Sequence, residues 1–172
     1  METFENRFNE LLINTFRDIL RVEELILQKN EPNLSLGEVH LIEAVRNGEG
    51  RSRTVSEIAP YLRIAVPSVT IAVNKLVKKG YLIKEKSNED GRSVRITLTR
   101  DGEKIYRLHC YLHQKLVRAA AEDMSEEEKN ALLIGVKNLD DFFKKKIAKY
   151  GGINEFSNRR NRKGPSGSGA NK

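Results

Sequence analysis

A hairpin signal inside a chain otherwise patterned for helices most constrains the fold. Residues 89–99 read EDGRSVRITLT, and Gly91 after Asp90 suits a tight turn that needs positive φ. From Val94 to Thr99 apolar and polar side chains alternate, as they do in a strand with one buried face. The preceding YLIKEK segment has the pattern of a partner strand. The sequence therefore predicts two short antiparallel strands.

Two short helices joined by a tight turn precede this hairpin. Thr54 and Glu57 form a capping box for VSEIAPYL, and Pro67 suits the first turn of the next helix. Gly80 ends that second helix with a left-handed cap. Two helices, a tight turn and a hairpin predict a winged helix-turn-helix.

The remaining chain is patterned for longer amphipathic helices. Residues 3–29 and 100–122 carry apolar side chains at three- and four-residue steps, and capping boxes at Ser35 and Ser125 open two more helices. The predicted fold class is mainly α with a small β-hairpin wing. We predict a DNA-binding domain over 35–99, a helical dimerisation region over 1–34 and 100–149, and a disordered basic tail over 150–172, after Gly151-Gly152.

Charge is distributed unevenly along the chain. Residues 1–45 contain 4 basic and 9 acidic side chains, whereas residues 46–100 contain 12 basic and 5 acidic ones. The basic segment coincides with the predicted winged helix-turn-helix and indicates a polyanionic partner such as double-stranded DNA. A solvated charged face explains the same charge without any partner.

The second helix of the pair is the predicted recognition helix, because a major groove is wide enough to admit it. Its outer face and the hairpin supply the candidate contacts, with Arg92 reaching into the minor groove and Asp90 orienting it. A solvated side chain at each position and an ordinary surface hairpin are the alternatives. The predicted DNA-binding residues are Pro67, Ser68, Thr70, Ile71, Asn74, Lys75, Asp90, Arg92 and Arg95.

The run from Asp90 to Thr99 resembles the D-x-R-x-x-x-x-x-L-T wing signature of the MarR family of bacterial transcription regulators. The L-x-x-G-Y-L segment that leads into the wing is also similar. The resemblance covers residues 3–149 and implies a homodimer, held by the first, fifth and sixth helices, that reads a pseudo-palindromic duplex.

A finer resemblance is to the FabT-type branch, which represses fatty-acid synthesis genes. LSLGEVHLIEAV, YRLHCYLH and SEEE carry it. It implies repression strengthened by an acyl ligand carried on acyl-carrier protein, with the acyl chain in a tunnel where the dimerisation and DNA-binding regions meet.

Three histidines form a second candidate site. His109 and His113 lie one helical turn apart, His40 lies on the second helix, and Glu24 is the candidate carboxylate from the first, beside Glu23. Three imidazoles and a carboxylate suit tetrahedral zinc, and zinc-responsive members of the family place ligands comparably. A hydrogen-bonded polar cluster lining a ligand pocket is the other interpretation.

An enzyme and a non-specific nucleic-acid-binding protein are the rival function classes. The chain contains no Gly-rich phosphate loop, no G-x-S-x-G motif and a single cysteine, so we do not expect an enzyme or a resident cofactor. A basic protein that binds nucleic acid non-specifically through its tail is the other rival. The polar N-terminus and the lack of a long apolar run predict a cytoplasmic protein that does not enter the membrane.

Overall fold

A computed structural model of the chain describes residues 3–86 and 93–160, with side chains through residue 150. The elements follow the predicted order. They are α1 (Phe4–Asn30), α2 (Leu36–Arg46), a 3₁₀ turn (Glu49–Arg51), α3 (Val55–Leu62), α4 (Val66–Lys78), β1 (Leu82–Lys86), β2 (Val94–Leu98), α5 (Arg100–Ala120) and α6 (Glu126–Arg160). The mainly helical fold with one hairpin is confirmed.

Capping side chains begin the helices where the sequence predicts. The Ser35 hydroxyl accepts the Glu38 amide at 3.3 Å, and the Glu38 carboxylate accepts the Ser35 amide at 2.8 Å. Thr54 makes the same reciprocal box at α3, and Ser125 makes it at α6. Each box satisfies two amides that a helix start leaves without intrahelical partners.

The helix-turn-helix consists of α3, a turn and α4. Arg63 ends α3 in the left-handed region at φ 57°, and the Ile64 amide donates to the Ala59 carbonyl at 3.0 Å. Ala65 begins α4 without a side-chain cap, and Pro67 lies in its first turn, as predicted. This geometry turns the chain sharply between the two helices.

One core joins α2, α3, α4 and the hairpin. Its members are apolar and almost fully buried, and burying each side chain of this size stabilises the fold by about 1.5–3 kcal/mol. The fully enclosed ones include Leu41, Ile42, Val45, Ile58, Val69, Val73, Leu76, Leu82 and Ile96.

The wing is a two-stranded antiparallel sheet in which Leu82 pairs with Leu98 and Lys86 with Val94. Outside the hairpin, an isolated single-residue β-bridge connects Arg53, just before α3, to Ile96 in β2. The strand ends at Leu98, one residue before the predicted Thr99, because Thr99 caps the helix that begins at Arg100. The Thr99 hydroxyl accepts the Gly102 amide at 3.0 Å and donates to the Gly80 carbonyl at 2.7 Å.

The chain divides into two compact units, residues 1–116 and 117–172. The first contains α1 and most of α5 together with the helix-turn-helix, whereas the sequence analysis assigned α1 and α5 to a separate dimerisation region. The reason is that α5 packs Ile105 into the same core as α2 and β2. A dimerisation role for these helices stays a prediction.

In the second unit, α6 extends beyond the predicted helix end. The helix passes through Gly151 and Gly152 and ends at Arg160. Glycine lowers helix propensity by about 1 kcal/mol relative to alanine but does not clash inside a helix, so the pair weakens the helix without ending it. Of the predicted tail, residues 161–172 lie outside the described residues.

Candidate nucleic-acid interface and ligand cleft

The α4 helix presents one polar face to solvent and one apolar face to the core. Val69, Val73 and Leu76 are 0% exposed on the inner face. Ile71 is 70% exposed, which is unusual for a large apolar side chain. All six α4 residues predicted to contact DNA lie on the outer face: Pro67, Ser68, Thr70, Ile71, Asn74 and Lys75.

Three of these side chains already have partners in the chain: those of Thr70, Asn74 and Lys75. The Thr70 hydroxyl donates to the Val66 carbonyl at 3.0 Å. The Asn74 side-chain oxygen accepts from the Lys84 ammonium, which projects from β1. A bidentate contact with adenine would use this same oxygen together with the Asn74 amide nitrogen.

Lys75 and Lys79 converge on the buried carboxylate of Glu38. Lys79 Nζ lies 2.8 Å from Glu38 Oε2, and Lys75 Nζ lies 3.1 Å from Oε1. Burial by itself raises the pKa of Glu38, but hydrogen bonds from Lys79, the Ser35 amide and Lys75 outweigh it and lower that pKa from 4.5 to about 2. The carboxylate therefore holds the carboxyl end of α4 against the start of α2.

The structure gives different results for the three wing residues that the sequence predicts to contact DNA. Asp90 and Arg92 lie outside the described residues, so their predicted minor-groove role stays a prediction. Arg95 is half-buried, and its Nε donates to the Ser52 hydroxyl at 2.7 Å. Its guanidinium therefore contacts the loop before α3, a contact that strand alternation alone does not reveal.

A cleft lies between α1, α2 and α5, within residues 1–116. It encloses about 470 Å³, including the space open to solvent at its mouth. Eight of its thirteen lining residues are apolar: Ile26, Leu27, Leu36, Val39, Ile105, Leu108, Leu112 and Leu116. This lining favours an apolar ligand.

The predicted histidines meet at this cleft. His113 Nε2 lies 3.0 Å from His109 Nε2 and 3.0 Å from Glu23 Oε1. His40 Nε2 lies 3.7 Å from Glu23 Oε2. Ligand atoms of Glu23, His40 and His109 all lie within 4.8 Å of one another. The sequence prediction that these three histidines come together is consistent with this geometry.

The carboxylate of the cluster is Glu23, whereas the sequence analysis predicts Glu24. Glu24 Oε2 pairs instead with Arg21 on the exposed side of α1, at 2.8 Å. Successive helical residues are rotated by about 100°, so only one of the two can face α5. Glu23 shares its face with Leu27 and Asn30, which also line the cleft, and that four- and seven-residue spacing was the available signal.

His109 is the most buried member of the cluster, at 8% exposure. Burial, together with the neighbouring His113, lowers the pKa of His109 from 6.5 to about 4, although Glu23 acts in the opposite direction. The imidazole is therefore neutral at physiological pH. A neutral imidazole can accept a hydrogen bond or bind a metal ion.

Comparison with known proteins identifies the family. The structure of Streptococcus pneumoniae FabT in complex with DNA superposes with a TM-score of 0.76 and 32% identity, covering 81% of this chain and 96% of that one. A family model described as MarR family matches residues 33–93. The chain belongs to the MarR family. Its winged helix-turn-helix is thus that of a family of transcriptional regulators.

Two further comparisons agree, one with a solved structure at lower identity and one with a sequence relative. A MarR protein from Peptoclostridium difficile superposes with a TM-score of 0.69 and 17% identity over 87% of this chain and 95% of that one. The HTH-type transcriptional regulator YfiV of Bacillus subtilis is 37% identical over 86 residues, 49% of this chain and 53% of YfiV. The match therefore spans about half the length of that MarR-type relative.

In the part of the chain that the structure describes, no helix is both long and apolar enough to span a bilayer.

Proposed function

We propose that this chain is a dimeric, sequence-specific DNA-binding repressor of lipid-synthesis genes whose affinity for DNA is set by an acyl ligand in the α1–α2–α5 cleft. The apolar cleft carries the proposal, because Leu36 and Val39 of its wall belong to the helix that Glu38 ties to α4. A ligand that moves α2 therefore acts on the element that faces DNA.

DNA binding is supported by the exposed face of α4 and by the basic segment that contains it. The similar FabT structure contains DNA. In our proposal α4 lies in a major groove, with Ser68, Thr70 and Asn74 toward base edges and the Asp90–Arg92 hairpin in the adjacent minor groove. Because phosphate contacts release counterions, affinity must fall steeply as salt rises.

Dimer formation is supported by apolar side chains that a single chain leaves uncovered. Phe4 is 77% exposed and Phe16 is 65% exposed on α1. On α6, Leu133 is 67% exposed and Ile134 is 64% exposed. Exposed apolar surface of this extent is typical of an interface. A second copy of the chain would bury it and give a twofold reader of a pseudo-palindrome.

The ligand class is tested with the intact protein and a duplex selected from a random pool. Operator affinity is measured by fluorescence anisotropy with hexadecanoyl-loaded acyl-carrier protein, with unloaded carrier protein, or with hexadecanoate. We expect the acylated probe to shift the operator Kd by about fivefold or more, the lower bound of typical allosteric coupling. An operator Kd that no acyl probe shifts contradicts the acyl-ligand proposal.

A matched pair of variants locates the acyl site. Leu112→Trp fills the cleft, whereas Tyr111→Trp places the same ring on the exposed side of α5, where Tyr111 is 59% exposed. We expect Leu112→Trp to abolish the effect of the acyl probe and Tyr111→Trp to keep it. Equal effects of the two variants would place the ligand elsewhere.

Zinc-responsive regulation is a second candidate function, favoured by the Glu23–His40–His109–His113 cluster. One carboxylate and three imidazoles are a common tetrahedral zinc donor set, and bonds of about 2.0–2.1 Å place ligand atoms roughly 3.3 Å apart. The 3.0 Å spacings of His113 fit that requirement. Glu23, His40 and His109 would hold the ion with His113 beside them, and zinc would join α1, α2 and α5.

Titration with zinc chloride separates the two candidates. A zinc sensor binds one ion per chain with a change in operator affinity, and His113→Gln abolishes both effects. In an acyl-responsive repressor zinc leaves operator affinity unchanged, and the cluster is a polar anchor at the cleft wall.

A further inference from the structure

The 48–53 loop, between α2 and α3, is tightly folded. Gly48 has no room for a side chain, because a Cβ there would lie 2.2 Å from the Ser52 carbonyl oxygen. Gly50 adopts φ +60°, in the left-handed region. The loop ends at Thr54, the N-cap of α3. Its conformation therefore sets where the helix-turn-helix begins.

Two sets of bonds connect this loop to wing strand β2. The Ile96 amide donates to the Arg53 carbonyl at 2.8 Å, and the Arg53 amide donates back at 3.2 Å. One residue earlier in the strand, Arg95 donates to the Ser52 hydroxyl through Nε at 2.7 Å and to the Ser52 carbonyl through Nη2 at 3.3 Å. The second set depends on a single side chain.

The Ser52 hydroxyl both accepts and donates a hydrogen bond in this arrangement. It is 7% exposed, accepts from Arg95 and donates to the Glu49 carbonyl at 3.3 Å. Arg95 Nη2 also lies 3.4 Å from the same Glu49 oxygen. A planar guanidinium reaches several fixed acceptors at once, which a lysine ammonium does not reproduce.

We propose that Arg95 is a positioning residue that fixes the wing against the start of α3 through Ser52, instead of contacting DNA. This inference rests on the proposed DNA-binding function. It replaces the direct DNA role that the sequence analysis gave to Arg95. The wing meets DNA productively only if its angle to α4 is set before binding, since a mobile wing loses conformational freedom on binding.

Three variants and a double variant separate positioning from contact. Arg95→Met removes the guanidinium, and Arg95→Lys removes the guanidinium but keeps a positive charge. Ser52→Ala leaves the guanidinium intact but removes the hydroxyl that it contacts. The double variant Ser52→Ala/Arg95→Met removes both groups. We expect each to weaken binding to the selected duplex by about tenfold, as for loss of a hydrogen bond to a charged group, with the double variant no weaker than Arg95→Met. The salt dependence of log Kd should match that of the unmodified protein.

Two results would overturn the proposal. If Arg95 binds a phosphate, Arg95→Met lowers the salt slope by about one ion, and Arg95→Lys largely retains affinity. If Ser52→Ala binds DNA as the unmodified protein does, the loop contact does not position the wing. All variants are compared well below their unfolding temperatures, so that global instability does not enter the measured affinity.

Amide hydrogen exchange tests the Arg95–Ser52 contact, here called the clamp, independently of DNA. The Ile96 amide should exchange faster in Arg95→Met and Ser52→Ala than in the unmodified protein. Lys86→Met is the matched control, because it removes a cation from the other strand of the hairpin. Unchanged Ile96 exchange in Arg95→Met, or equal acceleration in Lys86→Met, contradicts the clamp. Failure of the unmodified protein to bind any duplex contradicts the proposed function instead.

Discussion

Lys79 Nζ lies 2.8 and 2.9 Å from the two carboxylate oxygens of Glu38, and both side chains are largely shielded from solvent. The same ammonium donates to the Asn33 carbonyl. Glu38 also caps α2, so one carboxylate serves the helix start and the α2–α4 contact. A capping box on the surface lacks this second role.

Glu38→Gln is expected to destabilise the fold because it leaves the Lys79 ammonium without its counter-charge. The lowered pKa of Glu38, about 2, corresponds to on the order of 3 kcal/mol. This contribution is present above pH 4.5 and is lost as pH falls toward 2. Chemical denaturation at pH 7 and pH 3 measures it, and Glu57→Gln at the α3 cap is the control. Equal losses in the two variants would contradict a special role for Glu38.

His109 gives the free energy of unfolding a second pH dependence, at higher pH than that of Glu38. Its pKa of about 4 lies below the ordinary 6.5, so the unfolded chain takes up this proton more readily than the folded chain. The stability it contributes is present above pH 6.5 and is lost as pH falls toward 4, by on the order of 3 kcal/mol. His109→Gln should flatten the stability profile in this window. A variant with the unmodified profile would show that His109 is not responsible.

Gly102→Ala is expected to destabilise the start of α5. A Cβ there would lie 2.2 Å from the Tyr81 carbonyl oxygen, a backbone atom that cannot move aside easily. Overpacking of this kind costs about 1–3 kcal/mol. Gly37→Ala is the matched control, since nothing lies within 4 Å of its added carbon, and helix propensity should raise stability by up to about 1 kcal/mol. Thermal unfolding compares the two.

Ile71→Ala should weaken operator binding without affecting the fold. Its side chain is 70% exposed, so its removal takes no apolar contact from the core. We expect a loss of about 1 kcal/mol in binding, as for an apolar contact with a thymine methyl. Val73→Ala on the buried face should instead lower stability by about 1 kcal/mol or more. If Ile71→Ala binds every selected duplex normally, Ile71 faces solvent in the complex.

Phe16→Glu should convert the proposed dimer to a monomer. Phe16 is 65% exposed in the single chain, and a carboxylate buried in an apolar interface would lack a partner. Light scattering coupled to size exclusion measures the mass, and Lys86→Glu, exposed on wing strand β1, is the control for added negative charge. Dimeric Phe16→Glu would exclude this part of α1 from the interface.

The sequence alone determined the element order, the caps and the wing. Capping boxes at Ser35, Thr54 and Ser125, the glycine cap at Gly80 and the alternation in β2 are local signals, because each depends on residues within a few positions along the chain. The spacing of Val69, Val73 and Leu76 predicts which face of α4 is exposed, and all six of its predicted residues lie outward.

Only the tertiary structure decided what those side chains contact. Arg95 reaches Ser52, 43 residues away, and Lys79 reaches Glu38, 41 residues away. The choice of Glu23 over Glu24 depends on how α1 is rotated against α5. Local periodicity carries no information about such rotations or long-range pairs, because they are set by how the helices pack in one core.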